Sequence, residues 1–448
     1  MRPLFREPID TILSPFQRFF HTSASSGLLL VAATIAALVW ANSPWAGDYH
    51  ALWAMPLSVG LGGALLAKPL LLWINDGIMA MFFFVVGLEI KREFLVGELA
   101  SPRQALLPIA SAVGGMLVPA ALFWICNQGS PHADGWGVPM ATDIAFALGV
   151  LSLLGRRVPA TLKIFLTAVA IVDDIGAVLV IALFYTGTIH WTFLGLGLLL
   201  LGCMAGANAL GVRASGIYLV LGCALWLAFL KSGVHATVAG VLAAMTIPAR
   251  PRLGGGTYVG RVRDLIEDFR QANRSGQGML ANPRRHKILL DLRRAGRDAE
   301  TPLQRLEARL HPWMALAVMP LFALANAGVD LSGDMGRTLA QPLSLGILAG
   351  LLLGKPVGVA LTALVLTRTG LAAAPAGTTA RHLLGAGCLA GIGFTMSIFI
   401  AGLAFDDPGA ETLAKTAVLA ASLAAGLLGW LVLRGLPEGP AEPTESTH

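Results

Sequence analysis

Residues 164–185 read IFLTAVAIVDDIGAVLVIALFY, a run whose only charges are the adjacent aspartates Asp173 and Asp174 at its centre. A helix needs about 20 mostly apolar residues to cross a bilayer core, and neither flank of the pair is that long alone. Gly176 is the one turn-prone residue nearby. The run therefore reads as a single membrane-spanning helix with two carboxylates at mid-depth. An acid at the bilayer centre costs roughly 2.5–3.5 kcal/mol, so the pair must face a polar interior and not lipid.

Working outward, the same anomaly recurs. Asp143 sits about one and a half turns into VPMATDIAFALGVLSLLG (138–155), and Lys355 sits near the middle of ILAGLLLGKPVGVALTALVL (347–366). Four such groups facing lipid unpaired would cost about 10–14 kcal/mol. That matches the whole folding stability of a typical domain, so they are expected to face one another. Depth agrees. Asp143 lies before the turn near Arg157 and Asp174 after it, at axial distances of about 21 and 26 Å. Three carboxylates and an ammonium at mid-membrane describe a cation site.

Composition supports the membrane reading. Of 448 residues, 55% are apolar and 13% charged, whereas soluble domains carry about a quarter charged residues. Cys126, Cys203, Cys223 and Cys388 lie in or beside apolar runs with no paired spacing, so they read as small core residues. The N-terminal stretch is basic but lacks a signal peptide's early apolar run, so the first span is expected to be retained.

Apolar runs between turn and charge signals give twelve expected spans: 26–41, 72–90, 105–127, 138–154, 160–186, 192–211, 215–231, 233–248, 312–329, 342–366, 382–404 and 412–433. The fold class is thus an all-α polytopic membrane protein. Arg2, Arg6, Arg18, Lys91, Arg92, Arg103, Arg156, Arg157, Lys163, Arg213, Arg368, Arg381 and Arg434 then fall on one side. Only Lys68, Lys231, Arg337 and Lys415 fall on the other. The bias predicts that both termini are cytoplasmic. The stretch DYHALWAMPLSVGLGGALLAK (48–68) is too short for a membrane hairpin of helices, and its β-formers around Gly-Leu-Gly-Gly predict a small external β-hairpin. Residues 249–310 carry fourteen basic and seven acidic residues and read as a solvated cytoplasmic loop with one amphipathic helix near Arg261–Gln271. Residues 1–434 form the transmembrane domain, and the Pro- and Glu-rich end, 435–448, is expected to be a disordered tail.

Two spans carry breaks. In span 4, Pro139 cannot donate to a helix ladder and Thr142-Asp143 has the residue types that start a helix. In span 11, AGIGFTMSIFIAG (390–402) is loosened by Gly391, Gly393, Thr395 and Ser397. One interrupted span in each half is the pattern of inverted-repeat transporters that bind ions at the midplane.

Several stretches together resemble the NhaA family of sodium/proton antiporters. They include LLWINDGIMAMFFFVVGLEIKREF (71–94), ATDIAFALGVLSLLG (141–155), LKIFLTAVAIVDDIGAVLVIALFYT (162–186) and SGVHATVAGVLAA (232–244). LHPWMALAVMPLFALANAGV (310–329), GKPVGV (354–359) and GIGFTMSIFIAGLAF (391–405) complete the match, which covers almost the whole chain. The resemblance implies that Asp173 and Asp174 are the ion- and proton-binding pair, with Asp174 the direct Na+ ligand and Asp173 the partner of Lys355. It also places Thr142 and Asp143 where the two interrupted helices cross, Asp143 offsetting their positive ends and Thr142 lending an oxygen. Glu89, Arg92 and His235 match positions tied to pH response, and 48–68 matches a homodimer contact. The departure from the family is a long basic insertion at roughly 249–300, where its members are expected to be shorter.

The function implied is exchange of cytoplasmic Na+, and Li+, for external H+ across the bacterial inner membrane, electrogenic and pH-regulated. No cofactor, nucleic acid or enzymatic chemistry is expected; the partners are membrane lipid and a second copy. Sodium prefers oxygen ligands, and the same carboxylates bind protons, so the two ions can compete for one site. An intramembrane aspartyl protease would need opposed aspartates on separate helices, and a cation channel would need a repeated filter loop. Neither pattern is present in the sequence.

Overall fold

The computed structural model describes residues 23–61, 64–273 and 282–437. The N-terminal basic stretch and the expected tail from residue 438 onward lie outside them. In chain order the elements are α1 (Ser23–Ala41), α2 (Ala46–Ala54), strands β1 (Pro56–Leu61) and β2 (Ala64–Pro69), α3 (Leu70–Val96) and α4 (Pro102–Cys126). A 3₁₀ segment, Ala133–Met140, leads into α5 (Ile144–Leu153), followed by α6 (Ala160–Phe184), α7 (Trp191–Ala209), α8 (Ser215–Ser232) and α9 (Ala236–Thr246). Next come α10 (Gly255–Asn273), α11 (Pro283–Ala299), α12 (Pro302–Asn326), α13 (Met335–Leu339), α14 (Pro342–Arg368), α15 (Ala380–Ala390), α16 (Phe394–Ala404) and α17 (Pro408–Arg434).

The protein is a mostly helical, multi-pass membrane protein. Among the described residues nine helices are long and apolar enough to cross a membrane, or up to eleven if each bent pair counts as one span. The bent pairs are α1 with α2, at 112°, and α15 with α16, at 43°. The expected span at 233–248 is the shortfall: α9 has only 11 residues, about 16 Å of helix against a core of about 30 Å. Its ends explain the length. Gly233 takes a positive φ of 86° and terminates α8 in a tight turn, where a side chain would strike the Thr188 carbonyl. At the other end Ile247 is extended before Pro248, as a residue preceding proline must be.

The hairpin is shorter than 48–68. Residues 46–54 are helical because Tyr49 and Trp53, four apart, bury one face, and the Tyr49 hydroxyl donates to the Leu324 carbonyl at 2.9 Å. Met55 turns extended before Pro56. The strands then pair antiparallel, with Pro56 opposite Pro69 and Leu61 opposite Ala64.

The 249–310 segment also differs from a solvated loop. Two helices, α10 and α11, pack on each other, with the Arg285 guanidinium 5.8 Å from the Phe269 ring; Ile288 and Ala295 of α11 are buried. Pro302 then begins α12, so the last residues of the expected loop are the first turns of a long helix. The expected amphipathic helix near Arg261–Gln271 lies within α10; α11 is the helix that the loop reading did not include.

Lys355 is positioned by close packing of α14 on α4. A Cβ on Gly354 would lie 2.7 Å from the Pro119 Cα, so only glycine permits this approach. The turn Gly350–Gly354 is π-helical, which resets the helix phase immediately before Lys355.

Candidate ion-binding site

The two chain breaks touch. Between Met140 and Ile144 the backbone is extended, and the Asp143 N–H donates to the Ile392 carbonyl, in the break before α16, at 2.6 Å. The Asp143 carboxylate then serves both following helices. Its Oδ1 accepts from Phe146 N at 3.1 Å, capping α5. Its Oδ2 accepts from the backbone N and the hydroxyl of Thr395 at 3.1 and 2.5 Å, capping α16. A helix N-terminus carries about half a positive charge, so one anion neutralises two such ends. Phe394 N donates to Ser422 Oγ at 3.1 Å, and Ser397 Oγ donates to the Val138 carbonyl at 2.7 Å. Irregular backbone at membrane depth is thereby satisfied from within the protein.

Asp173 and Asp174 sit mid-way along α6, both buried. Lys355 Nζ is 2.5 Å from Asp173 Oδ2, and neither side chain is exposed. Thr142 Oγ1 lies 2.6 Å from the same oxygen and 2.9 Å from the Ala390 carbonyl. A hydroxyl has one proton to give, so these two acceptors compete for it whenever Asp173 is ionised. Oδ1 of Asp173 and Oδ1 of Asp174 have no hydrogen-bond partner among the described residues.

Asp174 faces the other way, into a cavity of about 690 Å³ that is also lined by Thr142, Asp143 and Thr395. Glu89, Arg92, Gln304, Glu307 and His311 line the same cavity. There the charges pair: Arg92 Nη1 lies 2.5 Å from Glu307 Oε1, and His311 Nδ1 lies 3.4 Å from Glu89 Oε1. Asp174 lines this cavity, whereas Asp173 does not and is held by Lys355.

Of the residues singled out from sequence, Thr142, Asp143, Asp173, Asp174 and Lys355 converge, and Glu89 and Arg92 line the cavity that reaches them. His235 does not join them. It precedes α9, with Nε2 2.6 Å from the Tyr185 carbonyl. Sequence reading missed Ser422, Glu307 and His311, and it marked Thr395 as part of the span 11 break without a role in the site. Glu307 and His311 are four apart on α12, a spacing that signals a shared face only once that stretch is read as helix. No group of three or more His, Cys, Asp or Glu side chains gathers as a metal-ligand cluster among the described residues. The oxygen-bearing side chains that line the cavity include Asp174, Asp143 and three threonines, Thr142, Thr167 and Thr395, together with Glu89, Gln304 and Glu307.

Comparison with known proteins identifies the family. The profile described as Na+/H+ antiporter 1 matches residues 17–433. The chain belongs to this antiporter family. Among relatives named Na(+)/H(+) antiporter NhaA, that of Oleidesulfovibrio alaskensis is 56% identical over 433 residues, covering 97% of this chain and 96% of the relative. That of Koribacter versatilis is 48% identical over 440 residues, covering 98% and 95%. One named NhaA 2, from Syntrophotalea carbinolica, is 49% identical over 430 residues, covering 95% and 97%. These NhaA relatives match this chain in overall length.

Proposed function

We propose that this NhaA-family protein exchanges Na+ for H+ through alternate occupation of the Asp173–Asp174 pair. The observation that carries the reading is the division of labour in that pair. One carboxylate faces an accessible cavity with an uncommitted oxygen, and its neighbour is tied to the buried Lys355 ammonium. Na+ arriving in the cavity is liganded by Asp174 with oxygens from Thr142 and Asp173, and a proton on Asp174 must leave for it to bind. As Na+ draws on Asp173, the Lys355 contact loosens and a second proton can be lost from the lysine. Asp143 holds the two interrupted helices together so that the site can change sides as a unit.

Loss of two protons for each Na+ moves net charge, and each elementary charge gains about 2.3 kcal/mol per 100 mV. The membrane potential then drives Na+, and Li+, out of the cell. In this reading twelve segments thread the bacterial inner membrane as inverted repeats, with α9 as a short eighth segment and both termini cytoplasmic. The ionic residues Glu89, Arg92, Glu307 and His311 guard the cytoplasmic mouth and set the pH response. His235 acts from its own position near Tyr185, and the β1–β2 hairpin joins two copies.

The test is Na+-dependent proton movement in proteoliposomes. Asp174→Asn and Asp173→Asn each keep side-chain volume and remove a charge, and both are expected to abolish exchange in correctly inserted protein. Vigorous exchange by either variant overturns the assignment.

A further inference from the structure

A second polar cavity, of about 210 Å³, lies where the turn before α8 meets the end of α11 and the start of α12. Four arginines line it (Arg213, Arg252, Arg297 and Arg305), with Asp298 and Glu300 as the only carboxylates. None of its residues lines the cavity of Asp174.

The Arg305 guanidinium is held by backbone carbonyls and not by opposite charge. Arg305 Nη1 donates to the Arg297 carbonyl at 2.9 Å, and Nη2 to the Arg213 carbonyl at 3.4 Å. Its Nε is buried with no hydrogen-bond partner among the described residues. Arg213 reaches only the side-chain amide oxygen of Asn208, at 3.4 Å. Asp298 is 3.8 Å from Arg252, and its backbone carbonyl accepts from Arg252 N and Leu253 N. Among the described residues no ion pair forms to Arg213, Arg297 or Arg305. The N-terminus of α12 adds no free donor: Leu303 N donates to the Pro248 carbonyl at 3.2 Å and Gln304 N to Thr301 Oγ1 at 3.1 Å, so the arginines are the cavity's donors.

We propose that this cavity binds a phosphate group. Guanidinium forks match phosphate oxygens in pairs, and several of them around one cavity form a multidentate anion site. The Arg305 fork is fixed by two carbonyls that do not neutralise it, and Arg213 and Arg297 form no ion pair among the described residues, so their charge stays available for a ligand. A monovalent halide would leave most of these donors unused. The phosphate comes either from a soluble polyphosphate or from an anionic lipid headgroup, since the cavity borders the ends of apolar helices.

The experiment uses the full chain. Inorganic pyrophosphate is titrated calorimetrically into detergent-purified protein. In parallel, nanodiscs containing phosphatidylglycerol or only phosphatidylcholine are examined by native mass spectrometry for retained lipid. Arg252→Gln/Arg297→Gln is compared with wild type, and Arg297→Lys serves as a milder variant should the double one fold poorly. Na+-dependent proton release reports folding, because these arginines lie outside the ion site.

Saturable pyrophosphate binding that weakens at least about tenfold in the double variant identifies a soluble ligand. Retention of phosphatidylglycerol alone, lost in the same variant, identifies the lipid. Arg297→Lys is expected to weaken whichever probe binds, because it keeps charge and loses the fork. Absence of binding by both probes, or binding that all variants retain at wild-type strength, overturns the proposal.

Discussion

Lys355 and Asp173, 182 positions apart in the chain, meet in the middle of the helix bundle with Nζ and Oδ2 2.5 Å apart and both side chains wholly buried. Breaking such a pair from one side leaves a buried charge without its partner, at a cost of about 3–5 kcal/mol. The two single variants are expected to respond to pH in opposite senses. Lys355→Met strands a carboxylate, which is neutral when protonated, so its thermal stability deficit grows as pH rises. Asp173→Asn strands an ammonium, which is neutral when deprotonated, so its deficit grows as pH falls. The double variant is expected to recover most of the loss at all pH values. Melting temperatures in detergent from acid to alkaline pH check this, and parallel profiles for the two single variants would contradict it.

Asp143 is expected to matter for structure more than for ion ligation. Asp143→Ala removes side-chain acceptors from the first turns of both α5 and α16, each worth about 1 kcal/mol. Thr395→Val removes only the hydroxyl contact and is expected to cost about half as much. Circular-dichroism melts of the purified variants give the ranking. Equal losses would mean that the shared cap does not hold the crossing together.

The hairpin and the helix before it are expected to separate functionally. Replacing residues 57–68 by a short turn should weaken self-association while Na+-dependent exchange continues, since the site is complete within one chain. Tyr49→Phe, by contrast, removes the hydroxyl bond to the Leu324 carbonyl and is expected to lower stability by about 1 kcal/mol without changing self-association. Size-exclusion light scattering and exchange assays on both variants decide between these roles.

The site was more legible in sequence than the surface. Asp143, Asp173, Asp174 and Lys355 stood out because a charge in an apolar run is costly, and Thr142 because it adjoined a broken helix. Thr395 stood out only as part of the break in span 11, and Ser422 carried no signal, since hydroxyls in apolar helices commonly bond to their own backbone and only the fold brings it to the start of α16. Residues 249–310 divide. The amphipathic helix expected near Arg261–Gln271 falls within α10, whereas α11 and the first turns of α12 carry so many charges that their helical period does not stand out. The count of spans faltered at α9, where length and not hydropathy is the deficiency.

The most direct test of proton–sodium exchange at Asp174 is apparent Na+ affinity measured against pH by isothermal titration in detergent or nanodiscs. If the two ions share the carboxylates, affinity weakens as pH falls, by up to about tenfold per unit for each proton displaced. Proton release accompanies each Na+ bound, and Asp174→Asn loses both signals. An affinity that is flat from acid to alkaline pH, with no proton released on Na+ binding, would contradict the account.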